Sequence, residues 1–336
     1  LLKDMQVLHA VLRKYHLAPQ DQVSVPAFAK DAYEMRALAA PVINLAYETL
    51  KQGKLAAKLD THGYRVTTSL DLALQRKALL VLQRAISEQR IRQGSLLLID
   101  LESRQPLVMA EAVLGGGDLQ TGNLIREPRQ TGSAIKPHLF MAGLQGTHTA
   151  ATLVSNAAVK DQELVKKLGG RTSGQYGGKL PFRLALSSNV VSARIRITDA
   201  IGPDNAVALY RKLGIQMSPS VGLAEVAGIA PISFLQLVMA YGVIAQNGTY
   251  SAPAPYITLK QGDSILALGK QSSESIVHAA MAYIVSHMMR DELERAPYNT
   301  TDERIFRHFR GKAGASADGR NAYFIGFNGK YLVAVH

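Results

Sequence analysis

The stretch RQTGSAIKPHLF, residues 129–140, sets Ser133 and Lys136 three positions apart, behind a glycine and ahead of a proline. That spacing puts two side chains on one face of a helix, so Lys136 comes within reach of the Ser133 hydroxyl. A serine hydroxyl is a poor nucleophile at neutral pH and needs an adjacent base. Lysine serves as that base only as the neutral amine, which desolvation or neighbouring positive charge favours. Both residue types are common, and a chain of this length holds on the order of one such pair by chance. The same residues also read as the start of an ordinary helix, so the decision lies in the surrounding sequence.

Upstream, the β-prone runs SLLLID (95–100) and PLVMAEAVL (106–114) flank the polar ESRQ and predict a hairpin. Before them YRVTT (64–68) reads as a strand, and Ser69 or Asp71 caps a helix over 72–93 closed by Gly94. Downstream the pattern is helical: FRLALSSNVVSARIRITDA (182–200), PDNAVALYRKLG (203–214) and PISFLQLVMAYGVIAQNG (231–248), the last stopping at Asn247-Gly248. Strands return in FRHFRGKAG (306–314), AYFIGF (322–327) and KYLVAV (330–335), separated by the turn signals ADGRN and NG. Strands at both ends with helices between them predict an α+β fold, an antiparallel sheet with helices segregated around it.

The first 62 residues read differently. Leu1, Met5, Leu8, Leu12 and Tyr15 form a helical stripe, a second helix runs from Pro41 in its first turn to Gly53, and less periodic segments surround them. A boundary is drawn near Gly63. The chain has 336 residues, enough for a large domain and a smaller appendage. It is 47% hydrophobic and 19% charged, which argues against disorder. No apolar run approaches the roughly 20 residues that cross a bilayer, and LLKDMQ carries no leader or anchor pattern. The absence of cysteine excludes disulfides, a thiol nucleophile and thiolate metal sites. The net charge of +12 favours acidic partners, but it is scattered, its densest grouping RIFRHFRGK is short, and the chain has no tryptophan, so nucleic acid is not the expected partner. Gly115, Gly116 and Gly117 lack the following lysine-serine or lysine-threonine of a phosphate loop and read as a flexible connection. The nine histidines form no HExxH, and Met281, Met288 and Met289 at helical spacing read as core.

Two further motifs follow the first in chain order. LALSSNVVSA gives Ser187, Ser188 and Asn189 in an S-x-N pattern, and RGKAGAS places Lys312 on a predicted strand before the ADGRN turn. S-x-x-K, S-x-N and K-T-G in this order resemble the penicillin-binding proteins and class A β-lactamases. The resemblance is most specific to the transpeptidase domain of class A penicillin-binding proteins. It extends through TTSLDLALQRKA, GSLLLIDLESRQPLVM, GQYGGKLPFRLALSSNVVSAR, AEVAGIAPISFLQLVMAYGVIAQNGTYSAP and ADGRNAYFIGF, covering most of 63–336. Residues 1–62 resemble, more weakly, the end of a glycosyltransferase region and the linker after it.

The resemblance implies a peptidoglycan D,D-transpeptidase that needs no cofactor and works at the periplasmic face of the bacterial inner membrane, anchored by a segment outside this chain. It implies stem peptides ending in D-Ala-D-Ala as substrates, β-lactams as covalent inhibitors, and an upstream glycosyltransferase domain and cell-wall synthesis proteins as partners. In the implied mechanism Ser133 attacks, Lys136 takes its proton, Ser187 relays a proton to the leaving D-alanine and Asn189 holds the peptide amide. Lys312 binds substrate carboxylate beside Ala313, Gly314 and Ala315, and the backbone N–H groups of Ser133 and Ala315 form the oxyanion hole. Lys312 and the positive helix end are both expected to keep Lys136 neutral. The chain departs from the family at Ala313 and Ala315, where threonines are usual. Each lost charge-assisted hydrogen bond costs about 1.5–3 kcal/mol, so reduced β-lactam affinity is expected, while the Ala315 N–H needs no side chain. A degenerate transpeptidase used as a scaffold and a D,D-carboxypeptidase stay open as alternatives.

Overall fold

The computed structural model describes residues 32–51, 63–114, 124–146, 148–170, 177–188, 190–218, 221–251, 256–268, 273–295 and 308–336. In chain order these form α1 (Ala32–Lys51), β1 (Arg65–Thr68), α2 (Leu72–Gln89), β2 (Gln93–Asp100), β3 (Gln105–Val113), β4 (Pro128–Gln130) and a 3₁₀ turn (Gly132–Ile135) that runs into α3 (Lys136–Leu144). There follow β5 (Leu153–Ser155), α4 (Gln162–Lys167), β6 (Lys179–Pro181), α5 (Phe182–Ser187), α6 (Val191–Ile201), α7 (Pro203–Lys212), a π turn (Glu225–Ile229), β7 (Pro231–Ser233) and α8 (Phe234–Ala245). The last elements are β8 (Thr249–Ser251), β9 (Tyr256–Gln261), β10 (Ser264–Leu268), β11 (Ser273–Ser275), α9 (Ala279–Arg295), β12 (Arg310–Ala315), β13 (Ala322–Phe327) and β14 (Tyr331–Val335).

The frame is a five-stranded antiparallel sheet in the order β12-β13-β14-β2-β3, made by joining the meander β12-β13-β14 to the hairpin β2-β3 through β14 and β2. Period-two alternation divides its side chains between two apolar layers. Leu97, Ile99, Ile325, Leu332 and Ala334 face the main core with α3, α5, α6 and α8. Leu96, Leu98, Phe324, Val333 and Val335 face Ala78, Leu82, Ala85 and Ile86 of α2. The mixed helix and antiparallel-sheet class read from the sequence is the class observed. Among the described residues no helix is long and apolar enough to cross a membrane.

Several boundaries differ from the sequence reading, each for a local reason. Asp71 is the α2 cap, its Oδ1 accepting from the Ala73 and Leu74 N–H groups at 2.9 and 3.0 Å. The helix stops at Arg90, which takes a left-handed conformation, so Gly94 falls inside β2 and not at a cap. Pro41 lies inside α1 and not in its first turn, because Val42, Ala46 and Leu50 at four-residue spacing bury themselves against the body. Val42 belongs to the main core and Leu38 O accepts from Gln75 Nε2, so the boundary near Gly63 does not detach α1. The long helix expected over 182–200 breaks into α5 and α6 at Ser188, whose backbone is extended. Residues 231–233 pair with β4 as a strand, and Ser233 then caps α8. The three-stranded sheet β1-β9-β10 and the extent of α9 were not read from the sequence. The helix expected over 1–16 and the Gly115–Gly117 connection lie outside the described residues.

Candidate active site

The 3₁₀ turn before α3 carries Ser133, and in a 3₁₀ turn side chains three residues apart eclipse. Lys136, the first residue of α3, therefore rises on the Ser133 side. Ser133 is half-buried, whereas Lys136 is only 1% exposed. This turn is wedged against the edge strand β12. A Cβ on Gly314 would stand 2.2 Å from Ala134 N, and one on Gly132, whose φ is +53°, would stand 1.9 Å from Ala315 O. No side chain fits at either place, so the third motif touches the first only because both positions are glycine.

Lys136 Nζ donates to Ser188 O at 2.7 Å, which ties the first motif to the second through the extended residue between α5 and α6. Burial is the main force that lowers the Lys136 pKa well below the ordinary lysine value, and the positive charges of Lys312 and Arg194 add to it. The negative charge of Glu292 opposes them. Ser187 ends α5, and its Oγ donates to Leu184 O of its own helix at 3.3 Å. Asn189 lies outside the described residues.

The backbone N–H groups of the edge strand alternate in direction. Ser316 N donates to Asn321 O across the β12–β13 turn at 2.9 Å, and Ala313 N turns away to Glu292 Oε1 at 3.2 Å. Alternation along the strand then aims the Ala315 N–H at the free edge, toward the Ser133 turn. The N–H of Ser133 belongs to the first turn of a helical segment and has no acceptor within it.

Lys312 is paired inside the protein. Its side chain is 3% exposed, and Nζ donates to Glu292 Oε1 at 2.7 Å and to Ala313 O at 2.5 Å. It is therefore drawn against α9, because a buried ammonium takes the nearest buried carboxylate. The Ala313 methyl belongs to the apolar layer against α2. Ala315 is half-buried at the edge.

Two charged residues here were missed in the sequence. Glu292 is buried, with Oε1 holding Lys312 and the β12 backbone; burial raises its pKa and the lysines pull it back. Arg194 is buried, and its Nη1 donates to Ser133 Oγ at 3.3 Å. A signal existed. Glu292 continues the stripe Val285, Met288, Met289, and Arg194 begins the stripe Ile197, Thr198, Ile201, so helical spacing places both charges on buried faces. Among the described residues no group of three histidine or carboxylate side chains is arranged to hold a metal ion.

Residues 94–317 match the penicillin binding protein transpeptidase domain family. Penicillin-binding protein 1A of Neisseria lactamica is 26% identical over 268 residues, an alignment that covers 75% of this chain and 33% of that protein. The chain thus spans about a third of the length of the relatives it matches. Among solved structures, the penicillin-binding protein PonA1 of Mycobacterium tuberculosis superposes with a TM-score of 0.68 at 17% identity, covering 88% of this chain and 81% of that one. Penicillin binding protein 3 of the same organism, complexed with aztreonam, gives a TM-score of 0.65 at 19% identity over 82% of this chain and 72% of that one. These two likenesses speak for the fold.

Proposed function

The chain belongs to the penicillin binding protein transpeptidase domain family, and from that premise we propose that it is a serine D,D-transpeptidase that crosslinks peptidoglycan stem peptides through an acyl-enzyme. The observation that carries this reading is the Ser133 turn: a half-exposed hydroxyl on the same side as a buried lysine whose neighbours favour its neutral form. Ser133 Oγ bonds to the carbonyl carbon of the penultimate D-alanine while its proton passes to Lys136 Nζ. The negative charge on the carbonyl oxygen is met by the Ser133 and Ala315 N–H groups. Collapse breaks the peptide bond, and the leaving D-alanine takes a proton relayed through Ser187. An amine from a neighbouring strand then attacks the ester, releases Ser133 and forms the crosslink. Asn189 is assigned to the peptide amide.

In this reading Lys312 acts through its charge and its grip on β12, and with alanine at 315 a substrate or β-lactam carboxylate is poorly held. Reduced β-lactam affinity follows. The working protein is assigned to the outer face of the bacterial inner membrane, with residues 1–62 as the link from an anchored glycosyltransferase, and the charge of +12 suits anionic membrane and wall surfaces. A second reading, a binding scaffold without turnover, is favoured by the withdrawn Lys312 and the two alanines.

The test is to incubate the protein with labelled penicillin and with a D-alanyl-D-alanine thioester mimic and to map adducts by mass spectrometry, with Ser133→Ala as control. An adduct from the thioester on Ser133, slower or absent with penicillin, is the expected result. No mass on Ser133 from either reagent in folded protein would favour the scaffold. Product masses with and without an amine acceptor separate crosslinking from carboxypeptidase hydrolysis.

A further inference from the structure

Arg194 lies on α6, five residues after Asn189, and is 2% exposed. Nη1 donates to Ser133 Oγ at 3.3 Å, Nη2 donates to Leu168 O, and Nε is buried without a partner among the described residues. No ion pair between Arg194 and a carboxylate forms among the described residues. Burying a guanidinium without a counter-charge is costly, by several kcal/mol. Arg194 meets that cost directly against the one oxygen that becomes negative when Ser133 loses its proton. Its backbone is fixed on both sides, with Ala193 and Ile197 in the main core and Ile195 in the cluster with Val165, Leu168 and Ala227.

Resting on the acyl-transfer reading, we propose that Arg194 is a catalytic residue: its guanidinium holds Ser133 Oγ and stabilises the charge that grows there as the proton leaves, and its fixed positive charge adds to the burial and the Lys312 charge that favour neutral Lys136. During attack the Ser133 O–H bond breaks, the proton goes to Lys136 Nζ and the oxygen electron pair forms the bond to the substrate carbon. Arg194 contributes hydrogen bonding alone and neither gains nor loses a proton. Burial lowers its pKa only to about 10, so it stays charged at neutral pH.

Five groups face Lys136 or lie on its helix. Lys312 from β12 and Glu292 from α9 form an ion pair at 2.7 Å, so the carboxylate offsets part of the lysine's field at Lys136. Tyr241 from α8 has its pKa raised by burial and stays neutral, and His138 on α3 is held neutral by a pKa lowered to about 4. Arg194 from α6 adds a positive charge that no carboxylate pairs with among the described residues.

The experiment uses the full chain as wild type, Arg194→Gln and Arg194→Lys. One readout is the thioester acylation rate of Ser133 against pH. The other is the Lys136 titration in protein labelled with ¹³Cε-lysine, the signal assigned by its loss in Lys136→Met. The Gln variant is expected to acylate at least tenfold more slowly at neutral pH. Both its acid limb and the Lys136 titration should move to higher pH by about one unit, because removing a cation stabilises the ammonium. The Lys variant keeps the charge and should keep the titration near the wild-type position while losing part of the rate. If the Gln variant does not fold, the Lys variant decides: full wild-type acylation there overturns the inference. So does an unmoved Lys136 titration in Gln protein, whatever happens to its stability. Wild-type protein that never acylates would instead sink the acyl-transfer reading, and the catalytic role of Arg194 with it.

Discussion

Ser133 and Lys136 make opposite demands on the protein. Acylation needs Lys136 as a free amine, and burial beside Lys312 and Arg194 moves its pKa down from 10.5. The rate should therefore climb with pH along a limb below the ordinary lysine range and then level off, which stopped-flow acylation with the thioester will record. Lys136→Arg, a permanent cation, is expected to lower that rate by about 10²–10⁴-fold. The alanines of the third motif allow a sharper comparison. Ala315 is half-buried at the edge of β12, whereas Ala313 packs into the layer against α2. Ala315→Thr should thus raise the rate of penicillin acylation by about 10–100-fold, the equivalent of one regained charge-assisted hydrogen bond. Ala313→Thr should leave that rate nearly unchanged and lower stability. Equal gains from both would show that the Ala313 side chain reaches the cleft. The serine, the lysines and both alanines were legible because a linear spacing carries them. Arg194 and Glu292 were harder to read, since a lone charge in a helical run ordinarily faces solvent and only the apolar stripe it shares points the other way.

The polar contact between α9 and β12 rests on one carboxylate. Glu292 Oε1 holds both Lys312 Nζ and Ala313 N, two residues before the Ala315 N–H that is assigned to the oxyanion. Truncating one member of a buried pair strands the other, at about 3–5 kcal/mol, whereas replacing both with apolar groups is often neutral. Glu292→Leu is accordingly expected to destabilise strongly, and Glu292→Leu with Lys312→Met to recover most of the loss in urea unfolding. Gly314→Ala attacks the same junction from its other side. Its methyl meets Ala134 backbone at 2.2 Å, so β12 and the nucleophile turn must part. Overpacking of this kind costs about 1–3 kcal/mol, and acylation should vanish in protein that still folds. The hairpin β2-β3 and the meander β12-β13-β14 were legible from period-two runs and turn residues, since those signals are local. The join of β14 to β2, the break at Ser188 and the course of α1 past Pro41 were not, because long-range packing decides each of them.

Two apolar layers on one sheet put most of the helical side out of reach of water, and one titratable group there reports on the whole fold. His138 on α3 is fully buried, with its ring edge-on to Tyr241 at 4.8 Å, and desolvation lowers its pKa from 6.5 to about 4. The folded protein resists binding that proton, while the unfolded chain accepts it near pH 6.5. Between these values the unfolded state carries more protons, so stability rises with pH and is lost as pH falls from about 6.5 toward 4. The loss from this residue should reach about 2 kcal/mol by pH 5 and about 3 kcal/mol below pH 4. Urea unfolding at pH 7.5 and pH 5 measures it directly. His138→Gln removes the titrating group and should flatten that difference by about 2 kcal/mol even if it lowers stability at both pH values. Glu292, whose pKa is raised by burial, works in the other direction and is common to both proteins, so it cancels in the comparison. An undiminished pH difference in the Gln variant would mean that His138 takes up its proton in the folded state as readily as in the unfolded one, and that the core around α3 admits water.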